Sequence, residues 1–270
     1  MKLFEFRKEL KSEFASLNIE TEDVDFIIAE VLNVKRTDLT LIDEITETQE
    51  QIIREKCEMR KKNITVDKIF GHAYFYGYEF KVDENVLSPR PESELLVETA
   101  LRYIKKNNYK TALDLCTGSG CLAIATKLNC EIEMTASDIS MKALKVAKEN
   151  AKNLNADIKF IHSNMFEKIE GTYDIIISNP PYIDSDEVKE LELEVINNDP
   201  HIALDGGELG LKFYNIIHNN LRKHLHDNGV IIMEIGEDQK ELIISLFNDF
   251  NLIESLQDLS GNDRVLVFRK

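Results

Sequence analysis

The sequence predicts an α/β fold: a seven-stranded, mostly parallel sheet, preceded by a small helical bundle and a short β-hairpin. Three observations predict it. From Thr111 onward, apolar runs of strand length alternate with helical periods, and runs such as "YDIIIS" and "GVIIMEIG" are apolar almost throughout, as strands covered on both faces must be. The first of these strands ends in a glycine turn, "CTGSGC", that opens a helix of small residues. No glycine occurs before Gly71, over a stretch in which Leu3, Phe6, Leu10, Phe14 and Leu17 recur at helical spacing.

Taken in order, the helical stripe from Leu3 to Leu17 is followed by Thr21 as an N-cap for "EDVDFIIAEVL", then by helices at about 37–42 and 47–63. Dense aromatics, two glycines and the alternation in "YEFKV" mark a hairpin. The expected organisation is therefore a helical domain over 1–65, a hairpin linker over 66–88 and the α/β domain over 89–270, where "SPRPESELLVETALRYI" sets prolines ahead of an amphipathic helix. Strands are expected at about 111–116, 132–138, 157–161, 173–178, 229–235, 252–257 and 264–269, and helices at about 120–128, 140–154, 208–226 and 237–249. Ligands of such sheets sit beyond the carboxyl ends of the strands, where the strand order reverses.

At 270 residues, 43% hydrophobic and 30% charged, the chain reads as an ordinary globular protein. No apolar run approaches the ~20 residues that span a bilayer, and "MKLFEFRKEL" lacks the apolar centre of a secretory signal, so the expectation is cytoplasmic, without a membrane. A formal net charge of −16 lowers the case for a nucleic-acid partner, because phosphate neutralisation needs a basic face. Cys57, Cys116, Cys121 and Cys130 form no CxxC pair and have no histidine at a ligand interval, which predicts reduced thiols and no metal. His224 and His226 are expected to be solvated or to face a helix dipole.

In "LDLCTGSGCLAIA", Gly118 and Gly120 allow a nucleotide cofactor to approach the backbone, and the helix N-terminus offers unpaired N–H groups. A plain tight turn has the same pattern, and "GSGCLA" also satisfies the dinucleotide motif G-x-G-x-x-A. The next strand, "IEMTASD", ends at Asp138, twenty residues after Gly118, where an acid accepts hydrogen bonds from a ribose diol unless it is simply a solvated turn residue. Ser140 is placed to cap the following helix, with Ala143, Leu144, Ala147 and Leu154 as its apolar stripe.

"IIISNPPY" separates the cofactor classes. Two prolines end the strand rigidly, which a structural turn alone would explain. The Asn179 side-chain carbonyl and the Pro180 backbone carbonyl, however, can each accept one hydrogen of a planar –NH2 group, with Tyr182 stacked on it. Such a nitrogen is a poor nucleophile; two acceptors orient it and stabilise the positive charge that grows during in-line methyl transfer. Hydride transfer has no use for this device, so S-adenosylmethionine is favoured over a nicotinamide cofactor.

Together, "DLCTGSG", "ASDIS…AL…A…N" and "SNPPY" resemble the Rossmann-like class I S-adenosylmethionine-dependent methyltransferases that act on planar nitrogen. "FYGYEFKVDENVLSPRPESELLVE", "DPHIALDGGELGLKFYNIIHNN" and "IIMEIGEDQ" resemble the release-factor glutamine methyltransferases of the PrmC/HemK type over residues 66–270. The resemblance implies N5-methylation of the glutamine in the Gly-Gly-Gln loop of class 1 peptide-chain release factors, in support of translation termination, with S-adenosyl-L-homocysteine as by-product and a monomeric enzyme. It implies that Cys116, Thr117, Gly118, Ser119 and Gly120 line the cofactor, with Asp138 on its ribose and Asn164 and Met165 at its adenine. Asn179 and Pro180 would hold the acceptor amide at the cofactor's edge, and Pro181 and Tyr182 would complete the pocket. Arg90 and Glu92 would lie near the entrance without a chemical role. The acidic helical domain suits a protein partner better than RNA, so it is expected to dock a part of the release factor away from the catalytic loop.

Two positions depart from the family pattern. Cys116 stands where "D-L-G-T-G" has glycine, which predicts an ordinary backbone there, since cysteine at positive φ is strained. "HSNMFE" stands where the family often has an acid and an aromatic; Asn164 can still hydrogen-bond and Met165 can pack on a ring. An adenine N6-methyltransferase shares the Asn-Pro-Pro-Tyr chemistry but would need a surface for a nucleic-acid backbone. Ribosomal-protein glutamine methyltransferases usually lack the "PRPE-S-E" run. An inactive binding module would not need Asn179 and Tyr182 intact.

Overall fold

The computed structural model describes residues 1–270, in two compact units: Met1–Gly71 with Glu192–Asn198, and His72–Leu191 with Asp199–Lys270. The first unit runs to Gly71 and takes a later segment, and the hairpin falls in the second unit.

Helices α1 (Leu3–Ser16), α2 (Glu22–Leu32), α3 (Glu47–Lys61) and the short α4 (Val66–Phe70) form the first unit. Leu3, Phe6, Leu10 and Phe14 are buried, as the helical spacing requires. Leu17, expected on that stripe, is 52% exposed, because α1 ends at Ser16 and Leu17 is already its C-cap. Thr21 does not cap α2: its backbone is helical, and its hydroxyl bonds the Glu22 carboxylate. The working cap is Thr46 on α3, in a reciprocal box with Gln49. Arg60, nearly buried, pairs with Asp23 at 2.5 Å and with Glu194 at 2.7 Å, tying the segment 192–198 into this unit.

The second unit opens with the hairpin β1 (His72–Phe75) and β2 (Tyr78–Lys81), followed by α5 (Glu94–Asn107), β3 (Thr111–Leu115), α6 (Cys121–Asn129), β4 (Glu133–Asp138), α7 (Met141–Asn153), β5 (Ile158–His162) and β6 (Tyr173–Ser178). After α8 (Leu193–Asn198), which falls in the first unit, come α9 (Lys212–His224), β7 (Leu225–Glu234), α10 (Lys240–Leu246), β8 (Asn251–Gln257) and β9 (Asp263–Arg269). The helix expected over 208–226 is shorter at both ends: Glu208–Gly210 forms a separate turn, and residues 225–226 already belong to β7. The sheet order is β5-β4-β3-β6-β7-β9-β8, parallel except for β9, which runs antiparallel to both neighbours.

Strand alternation splits the core into two layers. Ala112, Met134, Ile175, Ile177, Val230 and Ile232 pack with α5 and α6. Leu113, Leu115, Ile176, Ile231 and Met233 pack with α9 and α10. The chain leaves β3 toward β4 on one side and later returns as β6 on the other, so the reversal of strand order falls between β3 and β6.

Candidate active site

The carboxyl ends of β3 and β6 lie side by side, Leu115 opposite Ser178, and the turn after each enters the same cavity of about 350 Å³. Of the residues the sequence singles out, Cys116, Thr117, Gly118, Ser119, Asp138, Asn164, Met165, Asn179 and Pro181 line it. Gly120, Pro180 and Tyr182 do not: Gly120 starts α6 against Ala147 and Ile124, Pro180 is buried, and Tyr182 turns its hydroxyl toward Glu234. Arg90 is at the rim and bonds Asp199 at 2.9 Å.

The glycine turn is built from both neighbouring strands. Thr117 N–H donates to the Ser137 carbonyl at 3.0 Å, and its hydroxyl donates to Asp114 at 2.6 Å. Gly118 has φ +54, and a Cβ there would meet nothing within 4 Å, so its open side faces space rather than protein. The Gly118 N–H donates to Asp138 Oδ2 at 2.9 Å, and the Ser140 N–H donates to Oδ1 at 2.8 Å. Burial raises the Asp138 pKa, and those backbone donors pull it back. Ser140 caps α7 by accepting from Ala143 N–H at 3.1 Å. Asn150 braces the turn: its amide bonds Lys81 on β2 and donates to the Ser119 carbonyl at 2.9 Å.

Cys116 corrects an expectation. Its φ is +62, the left-handed region, although it is not glycine. The chain must swing off the end of β3 while Thr117 stays paired to β4, so the turn imposes the conformation whatever the side chain. Met165 is also left-handed, at φ +48, and its sulfur lies 3.6 Å from that of Cys116. Burial drives the Cys116 thiol far above its ordinary range, and the thiol remains neutral. Asn164 is exposed, with its amide donating to Glu167 at 2.7 Å.

Three residues that sequence reasoning missed support Asn179 and the Asn-Pro-Pro-Tyr turn. Asn179 Nδ2 donates to Ser93 Oγ at 3.3 Å, and Ser93 donates to Glu234 at 2.5 Å. Gln239 Nε2 donates to the Tyr182 carbonyl at 2.8 Å. Gly210 lies so close to the Tyr182 backbone that a Cβ would overlap it, which is why "DGGELG" can lie against this turn. Ile139, directly after Asp138, also lines the cavity and is 45% exposed, a large apolar side chain where a solvated turn would carry a polar one. The four cysteines are free, no group of His, Cys, Asp or Glu is placed to hold a metal, and no helix is long and apolar enough to cross a membrane.

The family model described as Methyltransferase small domain matches residues 86–241, which cover these turns from Arg90 to Gln239. A release factor glutamine methyltransferase of Thermodesulfovibrio yellowstonii is 40% identical over 100% of this chain and 99% of its own. One of the same name from Agrobacterium fabrum is 39% identical over 92% of this chain and 90% of its own. Among solved structures, a methyltransferase from Pyrococcus furiosus shares the fold, with a TM-score of 0.57 at 18% identity over 79% of this chain and 98% of that one. The chain belongs to the release factor glutamine methyltransferase family.

Proposed function

We propose that the protein methylates the side-chain amide nitrogen of the glutamine in the Gly-Gly-Gln loop of class 1 peptide-chain release factors, with S-adenosylmethionine as donor. The observation that carries this reading is Asn179, a carboxamide at the end of β6 that lines the same cavity as the glycine turn after β3.

The residues present fit the cofactor. The cavity falls within the ~300–1,000 Å³ range of small-molecule sites, and Gly118 leaves its floor open on the side where a Cβ would stand. Asp138 carries two oxygens, one accepting from the Gly118 N–H and the other from the Ser140 N–H, with lone-pair capacity left for ribose hydroxyls. Ile139 and Met165 supply apolar surface for the adenine, and Asn164 keeps its side-chain carbonyl free for the exocyclic amine. Bound S-adenosylmethionine supplies an electrophilic methyl carbon on a sulfonium sulfur.

The chain's own work is orientation. Asn179 Oδ1 and the Pro180 carbonyl accept the two hydrogens of the glutamine amide, turning its nitrogen toward the methyl and stabilising the charge that grows on it. Tyr182 and Pro181 close the pocket around the planar group. No strong base is required first, because the proton leaves after the methyl has arrived. The helical unit docks a part of the release factor remote from the loop, in the cytoplasm where both proteins would meet.

The test is incubation with labelled S-adenosylmethionine, a class 1 release factor and the same factor with its loop glutamine changed to alanine. Label on the first alone is expected; label on both, or on neither, would reject this acceptor.

A further inference from the structure

The Asn179 amide is held from behind by two residues that the reaction as described does not use. Ser93, at the turn into α5, and Glu234, at the end of β7, are each 3% exposed. Ser93 has one proton and gives it to Glu234 Oε2 at 2.5 Å. What remains on Ser93 Oγ is a pair of acceptor sites, so the only group of Asn179 that can face it favourably is the –NH2. A flipped amide would set carbonyl oxygen against hydroxyl oxygen, with no proton between them. The same carboxylate also receives the Tyr182 hydroxyl at 3.3 Å, on its other oxygen.

We propose that Ser93 and Glu234 are positioning residues: Glu234 fixes the Ser93 proton, and Ser93 thereby fixes Asn179 with its Oδ1 as the free acceptor toward the substrate. This deepens the reading of Asn179 as the residue that grips the acceptor amide, and rests on it. The consequence is selectivity. A rim that presents only oxygen acceptors takes a group with two hydrogens on one planar nitrogen, and rejects the carboxylate of a glutamate by leaving oxygens facing oxygens. A chain of hydrogen bonds that runs from the Asn179 amide through Ser93 to the Glu234 carboxyl also polarises in the direction that strengthens Oδ1 as an acceptor.

Two hydroxyls converge on the Glu234 carboxyl, one on each oxygen: Ser93 on Oε2 and Tyr182 on Oε1. Burial, with Glu92 adding to it, leaves the Glu234 pKa raised although Ser93, Arg264 on β9 and Tyr182 oppose the shift. From α9, the Tyr214 hydroxyl donates to the Glu234 backbone carbonyl at 2.7 Å and holds the strand end in place.

Three variants of the full chain test the relay: Ser93→Ala, Ser93→Thr and Glu234→Gln. With release factor as substrate, Ser93→Ala is expected to lose about tenfold in kcat, the loss of roughly one hydrogen bond's orientation. Its affinity for S-adenosylmethionine by calorimetry should stay within about twofold, and Ser93→Thr, which keeps the hydroxyl, should recover most of the rate. Glu234→Gln should lower kcat in the same selective way. In an Asn179→Ala background, Ser93→Ala should change the single-turnover rate by less than about twofold, because its effect runs through Asn179.

A readout without turnover is the Asn179 side-chain 1H–15N resonance pair, expected to move in Ser93→Ala and stay near its wild-type position in Ser93→Thr. Wild-type kcat in Ser93→Ala, a tenfold loss that persists in the Asn179→Ala background, or an unmoved resonance would each overturn the relay. A wild-type protein that labels no release factor would instead overturn the proposed function, and the resonance would still decide the relay.

Discussion

The Thr117 hydroxyl donates a 2.6 Å hydrogen bond to a carboxyl, that of Asp114, which is fully buried beneath the glycine turn. Burial pushes the Asp114 pKa from 3.8 up to about 7, against the lowering effect of Thr117. The folded protein therefore holds a proton that the unfolded chain has released. Stability contributed by the neutral carboxyl is fully present below pH ~4 and is lost as pH rises to ~7, by up to about 4 kcal/mol. Asp114→Asn keeps an acceptor for Thr117 and carries no charge. It should be more stable than wild type in denaturant titrations at pH 8, with an advantage that shrinks toward pH 5. A difference independent of pH would show that Asp114 does not titrate in this range.

Cys116 supplies a second prediction. At φ +62, a left-handed residue other than glycine costs about 1–2 kcal/mol. Cys116→Gly removes that strain but loses the packing against Met165 and adds freedom to the unfolded chain. These effects offset one another, so its stability should stay within about 1 kcal/mol of wild type. Cys116→Val places a β-branched side chain in the same conformation and should lose about 2 kcal/mol or more. Equal denaturation midpoints for the two variants would mean that the turn relaxes when its residue changes.

The same position shows where sequence reasoning reached its limit. The seven strands and the glycine turn were legible because strands buried on both faces must be apolar and a left-handed Gly118 leaves a visible mark. Cys116 and Met165 leave none, since their conformation comes from the loop rather than from the residue. Helices α4 and α8, at five and six residues, are too short to display a helical period. Asn179 could be found from its neighbours in "SNPPY", but Ser93 lies 86 residues before it and 141 before Glu234. Only the fold brings that hydroxyl, carboxylate and amide together.

Gly118 separates stability from binding. A methyl group there meets nothing within 4 Å but stands on the open side of the cavity, at φ +54. Gly118→Ala should remain folded, with a loss of about 1–2 kcal/mol from the backbone, yet bind S-adenosylmethionine at least tenfold more weakly in calorimetry. Unchanged affinity would remove this turn from the cofactor site.

Asn179→Ala removes one of the two proposed acceptors without touching the glycine turn. Cofactor affinity should stay within about threefold, while kcat falls on the order of 10²–10³, as for other preorganised groups at a developing charge. Preserved turnover would contradict the gripping role and would leave Ser93 and Glu234 without an object.

The helical unit should matter only for the whole substrate. A chain that begins at residue 72 lacks α1 to α4 and retains the glycine turn, Asp138 and the Asn-Pro-Pro-Tyr turn. It also strips Glu194 of its Arg60 partner, so circular dichroism must first establish that the shortened protein folds. If the unit docks the release factor, truncation raises KM for the intact factor tenfold or more, while KM for a short glutamine peptide, which cannot reach the docking surface, changes by less than about twofold. Parallel increases for both substrates would trace the defect to the catalytic unit and refute the docking role.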